Sequence, residues 1–201
     1  MRTIFLFFLL SFFNSFGQDI SEINKSLSLP DTLEFEKEIR IYKDFSITDG
    51  MEIFRMYKSG KDNWEVSIYY YNKEFKSVTK IDKINFPKGD LGKLKAKDAN
   101  LIWLNLLLCD VEYLPSLKDI DYKLKIASIQ IEDGENGIFK RTISPLDGES
   151  YVVFVKNGKI KNQFTFNNVN SYLKHYPNVD ELISYKQMLS IISKEFNLWK
   201  D

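Results

Sequence analysis

Residues 38–58 read EIRIYKDFSITDGMEIFRMYK. With the residues just before them they alternate: Phe35, Lys37, Ile39 and Ile41 share one face, and Glu36, Glu38, Arg40 and Tyr42 the other. A period of two is the signature of a half-buried strand. Asp49-Gly50 interrupts it with turn chemistry, and MEIFRMY (51–57) resumes it. Strands joined this closely pair antiparallel, because a parallel pair needs a long crossover.

The pattern continues downstream. SGKDN (59–63) is the next loop, WEVSIYYY (64–71) a third strand with Trp64, Val66, Ile68 and Tyr70 facing one way, and KSVTKIDKINF (76–86) a fourth, stopped by Pro87. After the loop PKGDLGK (87–93), Asp98 is placed to cap a helix within AKDANLIWLNLLLCDVEYL (96–114). That helix is apolar on nearly every side between Leu101 and Cys109, so sheet and loops are expected to cover it. A second meander follows Pro115: YKLKIASIQIE (122–132), IFKRTI (138–143), YVVFV (151–155) and IKNQFTF (160–166). Asn157-Gly158 suits a two-residue type I′ turn between the last two.

The end is helical. A short piece, VNSYLKHY (169–176), precedes a longer helix, for which Asn178 and Glu181 resemble a capping box. Leu182, Tyr185, Leu189, Ile192, Phe196 and Trp199 then form one apolar stripe over about five to six turns. The fold class is α+β: two antiparallel β-meanders, each followed by a helix, packed as one compact domain over residues 34–201. LPDTLEFEKEIRIYK (29–43) and LPSLKDIDYKLKI (114–126) start alike, which hints at a duplicated unit with halves 34–113 and 114–201.

Upstream, residues 1–17 have the layout of a cleavable secretory signal. Arg2 is the positive start, Ile4–Phe13 an apolar run interrupted only by Ser11, and Ser15 and Gly17 the small residues before a cleavage point at Gln18. The run is half the length that a membrane span needs. QDISEINKSLSLPDTL (18–33) reads as a short helix or an arm leading to Pro30.

The signal's ending, SFFNSFGQ (11–18), resembles those of exported proteins of the Bacteroidota. EIRIYKDFSITDGMEIFRMYK (38–58), NGKIKNQFTF (157–166) and SYLKHYPNVDELISYKQML (171–189) resemble an uncharacterised family of small exported proteins from that group. The resemblance covers about a quarter of the chain and implies location and fold, without an activity. Surface-destined members often end in a β-rich sorting domain, whereas this chain ends in a helical pattern. The expected location is therefore the periplasm, with the cell exterior as the alternative.

Composition narrows the function classes. The 201 residues carry 28 Lys+Arg and 28 Asp+Glu, and losing Arg2 with the signal leaves one acid in excess. A nucleic-acid binder would show a strong basic excess. A composition 28% charged and 44% hydrophobic fits a globular chain, and no transmembrane span is expected in the mature protein. Cys109 is the only cysteine, which leaves no intrachain disulfide and no lipid-anchor cysteine after the signal. Within LIWLNLLLCD it reads as a small buried hydrophobe.

No catalytic constellation stands out. His175, the only histidine, lies at a helix end, and there is no Gly-x-Ser-x-Gly elbow. Zinc would need several Cys or His ligands. The acidic stretches Asp133-Gly134-Glu135-Asn136-Gly137 and Asp119-Ile120-Asp121 lack the alternating calcium pattern. Phosphate-binding glycine loops are missing, and Lys88, Lys93, Lys95 and Lys97 read as a solvated rim. Asp110 and Glu112 mark where the apolar helix surfaces. No cofactor, metal or catalytic residue is expected.

The feature that folding explains least is aromatic. If Trp64, Val66, Ile68 and Tyr70 face the core, Tyr69 and Tyr71 point the other way, with Tyr42 and Tyr57 on neighbouring strands. A tyrosine-rich outer face gives rigid contact area with hydrogen-bonding tips. The competing expectation is that a helix covers it. The leading functional expectation is a non-catalytic periplasmic binding or protein-interaction module, monomeric and inhibitor- or immunity-like in one version. Its partner would be an unknown protein or small molecule. The alternatives are a carboxylate-dependent hydrolase of cell-envelope material and a lipid or envelope-assembly binding protein.

Overall fold

The computed structural model describes residues 15–45, 48–61, 63–86, 97–132, 134–143, 145 and 148–199, with side chains from Ile20 onward except that of Glu132. In chain order the elements are α1 (Ser15–Ser26), β1 (Lys37–Phe45), β2 (Gly50–Lys58), β3 (Trp64–Asn72), β4 (Ser77–Asn85), α2 (Ala99–Leu107), a 3₁₀ helix (Leu117–Lys123), β5 (Ile126–Glu132), β6 (Glu135–Arg141), β7 (Glu149–Asn157), β8 (Ile160–Asn167), α3 (Val169–His175) and α4 (Asp180–Phe196). The class is α+β, with a six-stranded antiparallel sheet and a separate two-stranded ribbon. Most of the proposed signal segment lies outside the described residues; Ser15–Gly17 form the start of α1. Lys88, Lys93, Lys95 and Asp133 also lie outside them.

The first meander forms as its alternation requires. The second divides. The strand order is β4-β3-β2-β1-β7-β8, so β7 pairs with β1 and β8 closes that edge, while β5 and β6 pair only with each other. The two halves are therefore built differently, one giving four consecutive strands and the other a ribbon and a hairpin. The hairpin's turn is Gly158-Lys159, not Asn157-Gly158, since Asn157 still pairs with Ile160. Gly158 has φ +60° and Lys159 is not in the positive region, so the turn follows the type II′ pattern with Gly first, not type I′.

One sheet face carries the main core. Ile39, Ile41, Phe54, Met56, Val66, Ile68, Val153 and Phe164 are buried with Trp103 and Leu106 of α2 and Leu182, Tyr185 and Ile192 of α4. Each fully buried side chain of this kind contributes about 1.5–3 kcal/mol. Trp64 and Trp103 lie 5.4 Å apart, and the Trp64 indole donates to Asn100 Oδ1 at 2.8 Å. Phe166 stacks on Tyr185 at 4.5 Å.

Asp98 caps α2 by accepting from the Leu101 amide at 3.1 Å. The expected all-round cover of this helix does not form: only its Ile102–Trp103–Leu106 side faces the sheet, and Leu101, Leu104 and Leu108 are exposed. At the other end of the chain, α4 starts from Val179 without the expected Asn178–Glu181 box. Glu181 turns instead to Lys123 Nζ, which donates to its Oε1 at 2.6 Å. Among the described residues no helix is long and apolar enough to cross a membrane.

Candidate functional site

The opposite sheet face carries all four singled-out tyrosines. Cross-strand register sets Tyr42 against Ile53, Ile53 against Tyr69, Met51 against Tyr71, and Glu38 against Tyr57. They share a face opposed to Trp64, Val66, Ile68 and Tyr70, as the alternation requires. That face is not an open contact surface. Ile20 and Ile23 of α1 and Leu27 just after it, spaced by three and four, form an apolar side that packs on Tyr42, Met51, Ile53, Tyr69, Tyr71 and Val152. Tyr42, Tyr69 and Tyr71 are buried beneath it, and Tyr57 is half-buried. The spacing in residues 18–33 already held this signal.

A polar clasp fastens α1 and the segment after it. Arg40 Nη1 donates to the Pro30 carbonyl at 2.7 Å and to the Tyr42 hydroxyl at 3.3 Å. The Tyr42 hydroxyl in turn donates to Asn24 Oδ1. Asn24 Nδ2 donates to Asp31 Oδ1 at 3.0 Å, and Ser21 Oγ to Asp31 Oδ2 at 2.9 Å. These two bonds hold the Asp31 carboxyl below its ordinary range, and burial pushes the Tyr42 hydroxyl above its own.

Beside the clasp, Glu38 is fully buried and accepts four bonds. Arg40 and Arg55 reach Oε1 at 3.1 and 2.8 Å, and the amides of Glu34 and Phe35 reach Oε2 at 2.9 and 3.1 Å. Arg55 also lies over the Tyr57 ring, 4.4 Å from its centre, and Tyr57 stacks on Phe35 at 4.3 Å. The sequence reading missed this cluster. A strand with charges on one face reads as half-buried, whereas Ile39–Lys43 is buried on both faces.

Beyond the clasp, α1 and the sheet leave a cleft of about 250 Å³. Tyr42, Met51, Tyr71 and Val152 floor it, and Ile20 and Ile23 wall it. Two ion pairs stand at its rim, Lys73–Asp44 at 2.7 Å and Lys76–Glu22 at 3.0 Å. An apolar interior under a charged rim suits a small amphiphile. Tyr42 and Tyr71 therefore come together in one cleft, while Tyr69 and Tyr57 do not line it.

A second cleft, about 580 Å³, lies between the start of β7 and helices α3 and α4. At its Tyr151–Trp199 side, Lys43 is buried among the rings of Phe45, Tyr151 and Trp199 and pairs with Glu149 at 2.6 Å. Tyr151 donates to the same carboxylate at 2.6 Å, so these charges are already committed to each other.

The remaining candidates are dispersed. Cys109 is buried at the end of α2, and burial pushes its thiol up to about 11. His175 is exposed at the last position of α3. Asp110 is exposed, and Glu112 accepts from Asn157 Nδ2 at 3.0 Å. Asp119 accepts from the Ser116 amide at 3.1 Å, Asp121 pairs with Lys125 at 3.2 Å, and Lys97 with Glu195 at 3.4 Å. Among the described residues no group of three or more His, Cys, Asp or Glu is placed to hold a metal ion. Compared with known proteins, the chain matches no family model, no curated protein and no solved structure.

Proposed function

We propose that the chain is a non-catalytic, exported binding module that takes a small amphiphile in the cleft between α1 and the tyrosine face. The observation that carries this reading is the cleft's construction: an apolar floor and wall beneath two lysine–carboxylate pairs. The Lys76–Glu22 pair is exposed, and such pairs contribute at most about 1 kcal/mol, so a ligand can open that side at small cost. Glu22 or Lys76, once parted, then meets a polar head of the opposite charge, and the Tyr42–Met51–Tyr71 floor takes the apolar body.

Size limits the ligand. At about 250 Å³ the cleft falls just short of the usual ~300–1,000 Å³ of small-molecule sites. It suits one aromatic ring or a short alkyl chain, not a whole lipid. Binding is favoured over hydrolysis because both rim carboxylates are held by lysines. Export rests on the layout of residues 1–17, and the periplasm is its simplest destination.

The test is a thermal-shift titration with hexanoate, octanoate, hexylamine and phenylacetate. A ligand at 100 times its Kd adds about 2.7 kcal/mol, a shift of several degrees at roughly 2–4 °C per kcal/mol. Met51→Trp fills the cleft and should abolish the shift while the protein still melts cooperatively. A flat titration with all four, or a shift that survives Met51→Trp, would refute the assignment.

A further inference from the structure

The ribbon formed by β5 and β6 stands apart from the six-stranded sheet, and every described side chain on both strands is exposed. A two-stranded hairpin alone is marginal in water; three or more strands with an apolar face are the smallest stable arrangement. This ribbon has the apolar face. Ile129 pairs with Ile138, Ile131 lies on the same side, and the three are 78%, 77% and 74% exposed in the order Ile129, Ile138, Ile131. It also has a free edge, because every second residue of β6 turns its N–H and C=O away from β5.

We propose that a second copy of this chain pairs antiparallel along the free edge of β6, with the two-fold axis through Ile138. In that register Ile138 lies opposite its counterpart, Gly137 opposite Phe139, and Glu135 opposite Arg141. Charge complementarity selects this occupant. Glu135 opens the strand and Arg141 ends it, and neither is in an ion pair among the described residues. Antiparallel self-pairing brings them together twice by symmetry. β5 has one acid and no base, so the same operation there yields no such pair. The half-exposed Phe139 ring then covers the strip where Gly137 has no side chain, and a row Ile129–Ile138–Ile138–Ile129 crosses four strands. The dimer departs from the monomer expected from the sequence and is independent of the α1 cleft.

Sedimentation equilibrium of the purified protein over micromolar to millimolar concentrations tests it. A reversible dimer is expected, with Glu135→Arg and Arg141→Glu each weakening association about tenfold, because two attractive pairs become repulsive. Combining the two changes should restore it. Ile138→Cys should give a covalent dimer on mild oxidation and Ile131→Cys should not, since Ile131 lies one strand further from the axis; Cys109 is buried and does not compete. Circular dichroism of each variant checks that the main sheet is intact. A protein that stays monomeric throughout overturns the proposal and leaves the ribbon to a different protein. A dimer indifferent to both charge reversals, or cross-linked equally well through Ile131→Cys, also overturns it.

Discussion

Glu38 on β1 and Arg55 on β2 meet at 2.8 Å with both side chains buried, and Arg40 reaches the same carboxylate oxygen at 3.1 Å. One carboxylate is thus shared by two guanidiniums under α1 and the segment that follows it. Arg40 Nε and Arg55 Nη2 find no partner among the described residues, so the positive side of the cluster is incompletely satisfied. The carboxylate is the part that the cluster cannot lose. Glu38→Gln keeps the shape but strips both buried guanidiniums of the carboxylate they share, and removing one partner of a buried pair costs about 3–5 kcal/mol. Urea unfolding should show that loss. Replacing all three residues together by Leu or Met should recover most of it, since buried ion clusters are often no more stabilising than apolar packing. A Glu38→Gln loss below about 1 kcal/mol would mean that the cluster is hydrated and not buried.

A close approach just before β7 gives the second prediction. Gly148 has φ +147°, and a Cβ built there would lie 1.8 Å from Asn168 Oδ1 and 2.8 Å from its Cγ. Asn168 is itself left-handed at φ +46°, holding the corner where the sheet passes into α3. Gly148→Ala should therefore destabilise by more than about 1 kcal/mol, against the usual gain from replacing glycine. Adding Asn168→Gly removes both the clash and the strain at the second position, so the double variant should be more stable than Gly148→Ala alone. Thermal unfolding of the three proteins decides it.

How far the sequence foretold this molecule depends on the range of the forces involved. β1 to β4, the Asp98 cap and most of the stripe on α4 were legible because each rests on local spacing; α4 ends at Phe196, so Trp199 lies beyond it, and Met188 is buried there where Leu189 is only half-buried. The grouping of Tyr42, Tyr57, Tyr69 and Tyr71 was legible for the same reason, since strand alternation decides which side a residue takes. Their burial under α1 was not, because it depends on where residues 18–33 dock. Nor was the departure of β5 and β6 from the sheet: IASIQIE alternates as cleanly as a core strand, and only β7 pairing with β1 excludes it. Glu38, Arg40 and Arg55 were hidden because charges read as exposed until a covering element is placed over them.

α2 supplies a paired prediction. Leu106 and Leu108 are two residues apart, one fully buried and the other 79% exposed. Leu106→Ala should cost about 2–5 kcal/mol through lost burial and the cavity left among the core side chains. Leu108→Ala should stay within about 0.5 kcal/mol, as surface changes do. Equal losses at both positions would show that something covers the Leu108 side of the helix in solution. Matched denaturation curves are sufficient to tell.

Alkaline pH should erode the protein's stability through its buried hydroxyls and thiol, those of Tyr57 and Cys109 among them. Burial, and then the bond to Glu65 at 2.6 Å, push the Tyr57 hydroxyl up from 10 to about 12. The folded state keeps that proton while the unfolded chain releases it near pH 10. The associated stability is thus complete below pH 10 and is lost as pH rises towards 12. Burial likewise lifts the Cys109 thiol from 9 to about 11, so its share begins to disappear above pH 9. At the acid end the sign reverses. The Tyr57 hydroxyl bond holds the Glu65 carboxyl below its ordinary range, a contribution present above that range and lost as pH falls through the lowered value. Tyr57→Phe should therefore flatten the stability profile at both ends, and Cys109→Ala should flatten it only between pH 9 and 11. Melting temperatures measured from pH 3 to 12 for the three proteins test this. If the profile of Tyr57→Phe parallels the parent above pH 10, the Tyr57 hydroxyl is solvated and its bond to Glu65 does not persist in solution.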